Sequence, residues 1–415
     1  MRICIHRGAS EIGGNTVEIE TNGQRIVLDL GRPLAATLRD DVSLPEIVGL
    51  QGEDKTLLGV FITHGHPDHY GLINRVSRRV PLYVGAATSR ILAEAAFYTP
   101  TGAVVTPSGF LVDRKPLEVG PFRMTPFLVD HSAFDAYALL VEADGKGLLY
   151  SGDLRSHGRK GLLFERLVRD PPSQVDVLLL EGTRIAEDEP ARRGLGSEDA
   201  VEEAVLQTMQ TAPGFVLALF SPQNIDRLVS FYRAARRANR TLVLDLYAAA
   251  VSAATGVATI PQADWEGVRV YVTQTQRVLV KNTASFARLG PIGRSRIFLD
   301  ELAAAPDRFV LIFRSSMWGE LEPHGCLTGA SAIWSMWPGY LSTPAGEQLK
   351  QRLERQRVPL VIHHASGHAP TPDLKRFALA VGAKRVVPIH TTAPEAYVVI
   401  EANVEVRNNG EWWQI

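Results

Sequence analysis

Immediately after the apolar run Leu57–Ile62 the chain reads Thr63-His64-Gly65-His66-Pro67-Asp68-His69. Three imidazoles and a carboxylate crowded onto one loop can converge on one or two cations. Such a donor set suits Zn²⁺, with Mn²⁺ or Fe also compatible. Alternation lets His64 and His66 point one way while Asp68 and His69 turn toward a neighbouring position. Two cations need more donors than this loop holds, and three residues stand in the same kind of place. His131 follows Phe127-Leu128-Val129-Asp130, Asp153 follows Leu148-Leu149-Tyr150-Ser151-Gly152, and His390 follows Val386-Val387-Pro388-Ile389. Each is a polar residue at the end of an apolar strand pattern, where open α/β sheets place ligand sites. A carboxylate such as Asp153 can bridge two cations held roughly 3.5–4 Å apart. His6, His157, His324, His363 and His364 have no comparable context and read as ordinary surface or core histidines.

The elements that must position these residues are legible as patterns. Thr16–Glu20, Arg25–Leu30, Leu57–Thr63, Leu82–Val84, Tyr137–Glu142, Leu148–Ser151 and Val175–Leu180 read as strands. Asn22-Gly23 between the first two is a hairpin signal. Thr88–Tyr98 reads as a helix. From about Arg184 the texture changes to β-α alternation. Ser197–Thr211 is a helix pattern with Ser197 as N-cap, Phe215–Phe220 a strand, Ile225–Asn239 a helix and Thr241–Leu246 a strand. That alternation implies a small parallel sheet covered by helices. From about Pro359 the first texture returns, with strands at Pro359–His363 and Lys384–Ile389 around a helix at Pro372–Val381, and Val398–Val406 and Trp412–Ile415 closing the chain. The expected organisation is therefore one α/β domain, 1–184 and 358–415, interrupted by a second at 185–357.

Composition sets bounds. The 415 residues carry 44 Lys+Arg against 45 Asp+Glu, a net charge of −1, so bulk positive charge does not drive nucleic-acid binding and a local basic path would have to do so. Hydrophobic content of 45% and charged content of 21% are those of a globular chain. Two cysteines, Cys4 and Cys326, are too few for a disulfide framework. The apolar runs fall well short of the roughly 20 residues a membrane span needs, and the N-terminus lacks a secretory h-region. The expectation is a cytoplasmic protein with no membrane partner, with room for a homo-oligomer.

The set His64-x-His66-x-Asp68-His69, His131 and Asp153 resembles the signature of the metallo-β-lactamase superfamily, and Asp29 in Ile26-Val27-Leu28-Asp29-Leu30-Gly31 matches its first acidic position. Leu180-Glu181-Gly182-Thr183 resembles the motif opening the β-CASP insertion of nucleic-acid-processing members. Ala365-Ser366-Gly367-His368-Ala369 and Pro388-Ile389-His390-Thr391 resemble the next two motifs of that family. Gly8-Ala9-Ser10-Glu11-Ile12-Gly13-Gly14-Asn15, Ile62–Leu72 and Phe220-Ser221-Pro222-Gln223-Asn224-Ile225-Asp226-Arg227 are similar to ribonuclease J. The fold implied is an αββα metallo-β-lactamase sandwich with an inserted β-CASP α/β domain. The ligand assignment implied is His64, His66 and His131 on one cation, Asp68, His69 and His390 on the other, and Asp153 between them. Asp29 and Glu181 are implied as carboxylates that orient ligands.

The activity implied is hydrolysis of a phosphodiester, most naturally in single-stranded RNA, with two Zn²⁺, or Mn²⁺, activating a water. Asp68 and Glu181 belong to that catalytic set, and His368 is the candidate general acid for the leaving 3′ oxygen. Ser132, Ser221, Asn224 and Arg227 are implied as weaker substrate contacts. The sequence departs from the family in the inserted stretch, where Asp226 stands in place of the usual His and Ser335-Met336-Trp337-Pro338-Gly339-Tyr340 lacks the following Asn-Glu. The alternatives are a small-molecule hydrolase acting on an ester, thioester or lactam, and a nuclease directed to DNA. The tryptophans Trp318, Trp334 and Trp337 offer either base stacking or core packing. The arginines Arg233, Arg236, Arg237 and Arg240, and Arg352, Arg355 and Arg357, offer phosphate contacts or plain helix-end charge.

Overall fold

The computed structural model describes residues 1–37, 40–185 and 194–415. The chain divides into two compact units, Met1–Asp188 with Gly367–Ile415, and Glu189–Ser366.

Among the described residues of the first unit, seven strands form one sheet in the order Trp412–Gln414, Arg2–Arg7, Thr16–Thr21, Gln24–Leu28, Leu57–Ile62, Leu82–Gly85, Gly109–Leu111. Six form a second in the order Arg385–Ile389, Val177–Glu181, Lys146–Tyr150, Ala136–Ala143, Phe122–Val129, Leu117–Val119. The period-2 alternation of each strand decides which side chains meet. Ile26 and Leu28 turn inward against Leu139, Val141, Leu148 and Leu179 of the other sheet, in one buried cluster. Val27, between them, turns outward into a cluster with Val60, Ile62 and Leu92, the last on the helix Ala86–Tyr98. On the far side, Leu140, Leu149, Leu178 and Leu180 meet Phe164 and Leu167 of the helix Gly161–Arg169 and Leu374 and Phe377 of the helix Thr371–Val381. The layers are therefore helix, sheet, sheet, helix, the αββα sandwich. Each fully buried Leu or Ile contributes roughly 1.5–3 kcal/mol, so this two-sided filling is the main cohesive force. The hairpin at Asn22-Gly23 is present, with both residues at positive φ and Thr21 paired to Gln24.

The second unit holds one sheet, again seven strands among the described residues, paired in parallel throughout: 296–297, Val268–Tyr271, Thr241–Asp245, Phe309–Ile312, Val216–Leu219, Ser331–Trp334, Leu360–Ile362. Several of its helices start on side-chain caps, with Ser197 accepting from the Ala200 amide, Asn224 from Arg227, and Asp245 from Ala248. Such caps satisfy amides that the first helical turn leaves unpaired. Cys4 and Cys326 are both buried free thiols.

Of the two closing segments, Val398–Val406 carries the end of a 3₁₀ segment, Pro394–Ile400, and Val404 touches the sheet through a bridge to Val386. The strand Arg2–Arg7, unremarked in the sequence, pairs with both Thr16–Thr21 and Trp412–Gln414, so residues from the two ends of the chain share the first sheet. No helix of the described residues is long and apolar enough to cross a membrane.

Candidate metal centre

The centre is built by strand ends within the first unit. Lys146–Tyr150, Val177–Glu181 and Arg385–Ile389 are adjacent and parallel, so Asp153, Glu181 and His390 emerge at one edge of their sheet. Phe122–Val129 runs the same way and delivers His131. In the other sheet Gln24–Leu28 and Leu57–Ile62 are parallel and deliver Asp29 and the His64–His69 loop. Asp29 and His390 take left-handed backbone, φ 57° and 53°, directly after their strands, which turns each chain sharply at the centre.

Two donor groups form. His64, His66, His131 and Asp153 offer ligand atoms within 4.8 Å of one another, as do Asp68, His69, Asp153 and His390. Asp153 belongs to both. Its Oδ2 lies 3.2 Å from His69 Nε2, 3.6 Å from His64 Nε2 and 3.9 Å from His131 Nε2, and its Oδ1 lies 3.6 Å from His390 Nδ1. His390 Nε2 lies 3.2 Å from Asp68 Oδ2, and His66 Nδ1 lies 3.0 Å from His131 Nε2. A third grouping, Glu181, His368 and His390, also falls within reach. There His390 has both nitrogens engaged, Nδ1 at 2.8 Å from Thr183 Oγ1 and Nε2 beside Asp68.

The supporting bonds fix which nitrogens carry protons. His131 Nδ1 donates to the Gly367 carbonyl at 2.6 Å, which leaves Nε2 as a lone pair facing the cluster. His69 Nδ1 stands 2.7 Å from Asp29 Oδ2, again leaving Nε2 inward. Thr63 donates its hydroxyl to Asp29 and so accepts from His64 Nδ1 at 3.0 Å, turning His64 Nε2 inward too. Tyr150 also donates to Asp29, at 2.8 Å, and receives Asn15 Nδ2 at 3.1 Å. Asp130 and Arg155, both buried, pair behind His131, and the Gly158 amide donates to Asp130 at 2.7 Å.

These donors fit cations. Among the described residues, His64 Nε2, His69 Nε2 and both oxygens of Asp153 are buried and find no hydrogen-bond partner. Buried polar atoms are almost always satisfied, so four bare acceptor atoms converging in one place call for a ligand that accepts lone pairs. Burial, reinforced by neighbouring imidazoles, holds the proton affinities of His64 and His131 well below the ordinary histidine value, and burial lowers His66 to about 4. Their lone pairs are therefore available at neutral pH. Burial acts the same way on His69, but the carboxylates of Asp153 and Asp29 outweigh it and raise that proton affinity. Burial disfavours charge on Asp153, and His390, His69 and His368 overcome it and hold the carboxylate ionised.

His368 stands beside this set, Nδ1 at 3.8 Å from Asp153 Oδ2 and 3.3 Å from Glu181 Oε1. Burial opposes a proton there, and Glu181 and Asp153 together raise its pKa to about 9. Glu181 thus faces His368, lies within reach of His390, and also accepts from the Thr183 amide at 3.0 Å. Ser132 lies against Gly367, where an added Cβ would stand 2.5 Å from the Ser132 Oγ.

The remaining substrate-contact expectations fall in the second unit and are engaged there. Arg227 is fully buried and paired with Glu198, Asn224 caps its helix, and Ser221 is exposed on the preceding turn. Trp318 and Trp334 are core residues, whereas Trp337 is 43% exposed and edge-on to Tyr340. Arg236, Arg237 and Arg352 pair with carboxylates, and Arg240 donates to the Gly214 and Ala212 carbonyls. Thr63, Tyr150, Thr183, Asn15 and Arg155 are the residues that sequence reasoning passed over.

Gly31 supplies a test of how tightly the loop is seated. A Cβ at this position would stand 1.7 Å from the Asp68 carbonyl oxygen and 2.8 Å from the Asn15 amide nitrogen, which donates to that carbonyl. Both obstacles are backbone, so Gly31→Ala must displace the Asp68 segment. The expected outcome is soluble protein of lowered melting temperature that retains fewer ions per chain on elemental analysis, the deficit falling on the donor group containing Asp68.

A helix–sheet–sheet–helix sandwich with this histidine–aspartate centre at its strand ends defines a metallo-β-lactamase fold. Residues 43–217 match the family model described as a beta-lactamase superfamily domain. The chain is similar to several proteins named ribonuclease J. It is 22% identical to ribonuclease J of Pyrococcus abyssi over 92% of this chain and 88% of that one. It is 30% identical to ribonuclease J of Helicobacter pylori (strain ATCC 700392 / 26695) over 36% of this chain, a match that spans 22% of that protein's length. A crystal structure of a protein of unknown function from Enterococcus faecalis V583 shares the fold over 99% of both chains, with a TM-score of 0.80 and 22% identity.

Proposed function

We propose that this protein is a metal-dependent phosphodiester hydrolase, a cytoplasmic nuclease that cleaves single-stranded RNA with two divalent cations, Zn²⁺ or else Mn²⁺. The observation that carries the proposal is the quartet of buried, bond-free acceptor atoms on His64, His69 and Asp153. His64, His66, His131 and Asp153 would hold one cation, and Asp68, His69, Asp153 and His390 the other. Bound there, the pair supplies Lewis acidity that activates water and polarises a phosphoryl oxygen. The chain's own residues do the rest. Asp29, Thr63 and the Gly367 carbonyl hold the ligand imidazoles in the tautomer that offers Nε2 inward. His368, held by Glu181 at 3.3 Å, delivers a proton to the leaving 3′ oxygen. The choice of RNA draws support from the curated relatives, which are named ribonuclease J. The domain reading proposed with it is a hydrolase unit interrupted by an inserted β-CASP unit.

The test is incubation of the purified protein with labelled single-stranded RNA, single-stranded DNA and a generic thioester, with chelator and with ions restored. Cleavage of RNA that chelator stops and added ions recover is the expected result. Intact RNA beside a hydrolysed thioester would overturn the nuclease in favour of a small-molecule hydrolase, and preferential cleavage of DNA would reassign the substrate.

A further inference from the structure

We infer that Asn15 is a positioning residue for one donor group alone, the one containing Asp68, His69 and His390; this rests on the two-cation reading proposed above. Gly8–Asn15 is among the stretches similar to ribonuclease J, and its last residue is buried, 1% exposed. The Asn15 amide donates to the Asp68 carbonyl at 3.1 Å, and the Asn15 carbonyl accepts from Gly31 at 3.0 Å. The side chain adds two further contacts. Nδ2 donates to the Tyr150 hydroxyl at 3.1 Å. That direction is fixed, because Tyr150 has one proton and gives it to Asp29 Oδ2 at 2.8 Å. The same Oδ2 meets His69 Nδ1 at 2.7 Å. With Nδ2 so placed, Oδ1 lies against Gly8, where an added Cβ would stand 2.6 Å from it. Gly8 holds φ 107°, and its carbonyl accepts from the His390 amide at 2.7 Å. One asparagine therefore touches the backbone of Asp68, the residue that anchors His390, and the tyrosine that shares an acceptor oxygen with His69.

The other donor group is held by different partners. His131 donates to the Gly367 carbonyl and stands beside His66, and His64 meets Thr63. Thr63 also bonds Asp29, but its amide donates to Oδ1, at 2.8 Å, and that bond does not pass through Tyr150. Removing the asparagine amide therefore withdraws support from the Oδ2 side of Asp29 and leaves Oδ1 held. A buried hydroxyl deprived of its donor, and a carboxylate deprived of its hydroxyl, each carry the desolvation cost of an unsatisfied group. Residues that orient ligands in this way set how tightly an ion is held. The cost should then fall on one ion and spare the other.

The test uses Asn15→Ala and Tyr150→Phe. The first keeps the backbone bond to Asp68 and removes both side-chain contacts; the second removes only the link to Asp29. A graded chelator withdraws Zn²⁺ from the loaded protein while ions per chain and the histidine ring resonances are followed. The expected result for Asn15→Ala is one ion lost at about 10–100-fold higher free Zn²⁺ than in the parent, with the other ion unchanged. His69 and His390 should report the early loss, while His66 and His131 follow the parent. Tyr150→Phe should act in the same direction, and once the ions are gone it should shift His69 and leave His390 in place. Two ions held by Asn15→Ala as in the parent would overturn the inference. Both ions weakened alike, or an early loss reported by His66 and His131, would do the same, as would a parent that takes up fewer than two ions. If Asn15→Ala does not fold, Tyr150→Phe decides alone by these criteria. A parent that takes up two ions and cleaves no RNA defeats the proposed nuclease, and the chelator series still decides the role of Asn15.

Discussion

Asp153→Asn is expected to leave a folded protein that holds fewer than two ions per chain and hydrolyses its substrate at least ~10³-fold more slowly, since several kcal/mol of transition-state stabilisation are at stake. The reason is its place in the centre. Four imidazoles of the two donor groups, together with that of His368, lie within 3.9 Å of one or other of its oxygens. Among the described residues, neither oxygen finds a hydrogen-bond partner and no other carboxylate is common to both donor groups. An amide of the same shape presents one neutral oxygen and one N–H₂ donor, and the donor faces lone pairs. The two groups then lose their shared anion, and cations held in both would repel without it. Melting the parent with and without added ions gives the second readout. Ligand at 100 times its Kd stabilises by about 2.7 kcal/mol, and most of that increment should vanish in the variant. A variant retaining two ions, with turnover within tenfold of the parent, would show that Asp153 does not join the two groups.

Why the converging donor residues are legible in the sequence, and their supporting partners are not, follows from where each signal lies. The His64–His69 loop is a single local pattern. His131, Asp153 and His390 each follow an apolar strand pattern, and parallel strands bring such ends to one edge whatever their order in the chain. Thr63 and Tyr150 belong to strands or their ends, and a Thr or Tyr there reads as an ordinary strand residue. Their roles depend on register between distant segments: Tyr150 reaches Asp29 across 121 positions, and Thr183 reaches His390 across 207. No local pattern encodes such pairings. Arg227 shows the same limit from the other side. Family likeness placed it on the substrate, whereas the fold buries it against Glu198, 29 positions away. The resemblance implies that Glu181 orients a ligand, and strand pairing of Val177–Glu181 with Arg385–Ile389 sets it at the centre's edge, where it meets His368 with His390 in reach.

The opposite pattern is expected for His368→Ala: both ions retained, KM unchanged, and kcat lowered by about 10²–10⁴-fold, the usual worth of a well-placed general acid. His368 lies outside both principal donor groups, and its Nδ1 is directed at Glu181, so neither cation loses a ligand when the ring is removed. The ring is also partly exposed, with 19% of its side-chain surface accessible, as a group that meets substrate must be, while the histidines His64, His69 and His131 have none. Truncation leaves Glu181 without this partner but still accepting from the Thr183 amide, so the fold should survive. A substrate with an activated leaving group separates acid catalysis from mere positioning. An aryl phosphodiester, whose leaving oxygen needs no proton, should be hydrolysed by the variant at nearly the parent rate, while RNA cleavage remains depressed. Equal losses on both substrates would remove the proton-delivery role from His368, and loss of bound ions would make it a structural support of the centre.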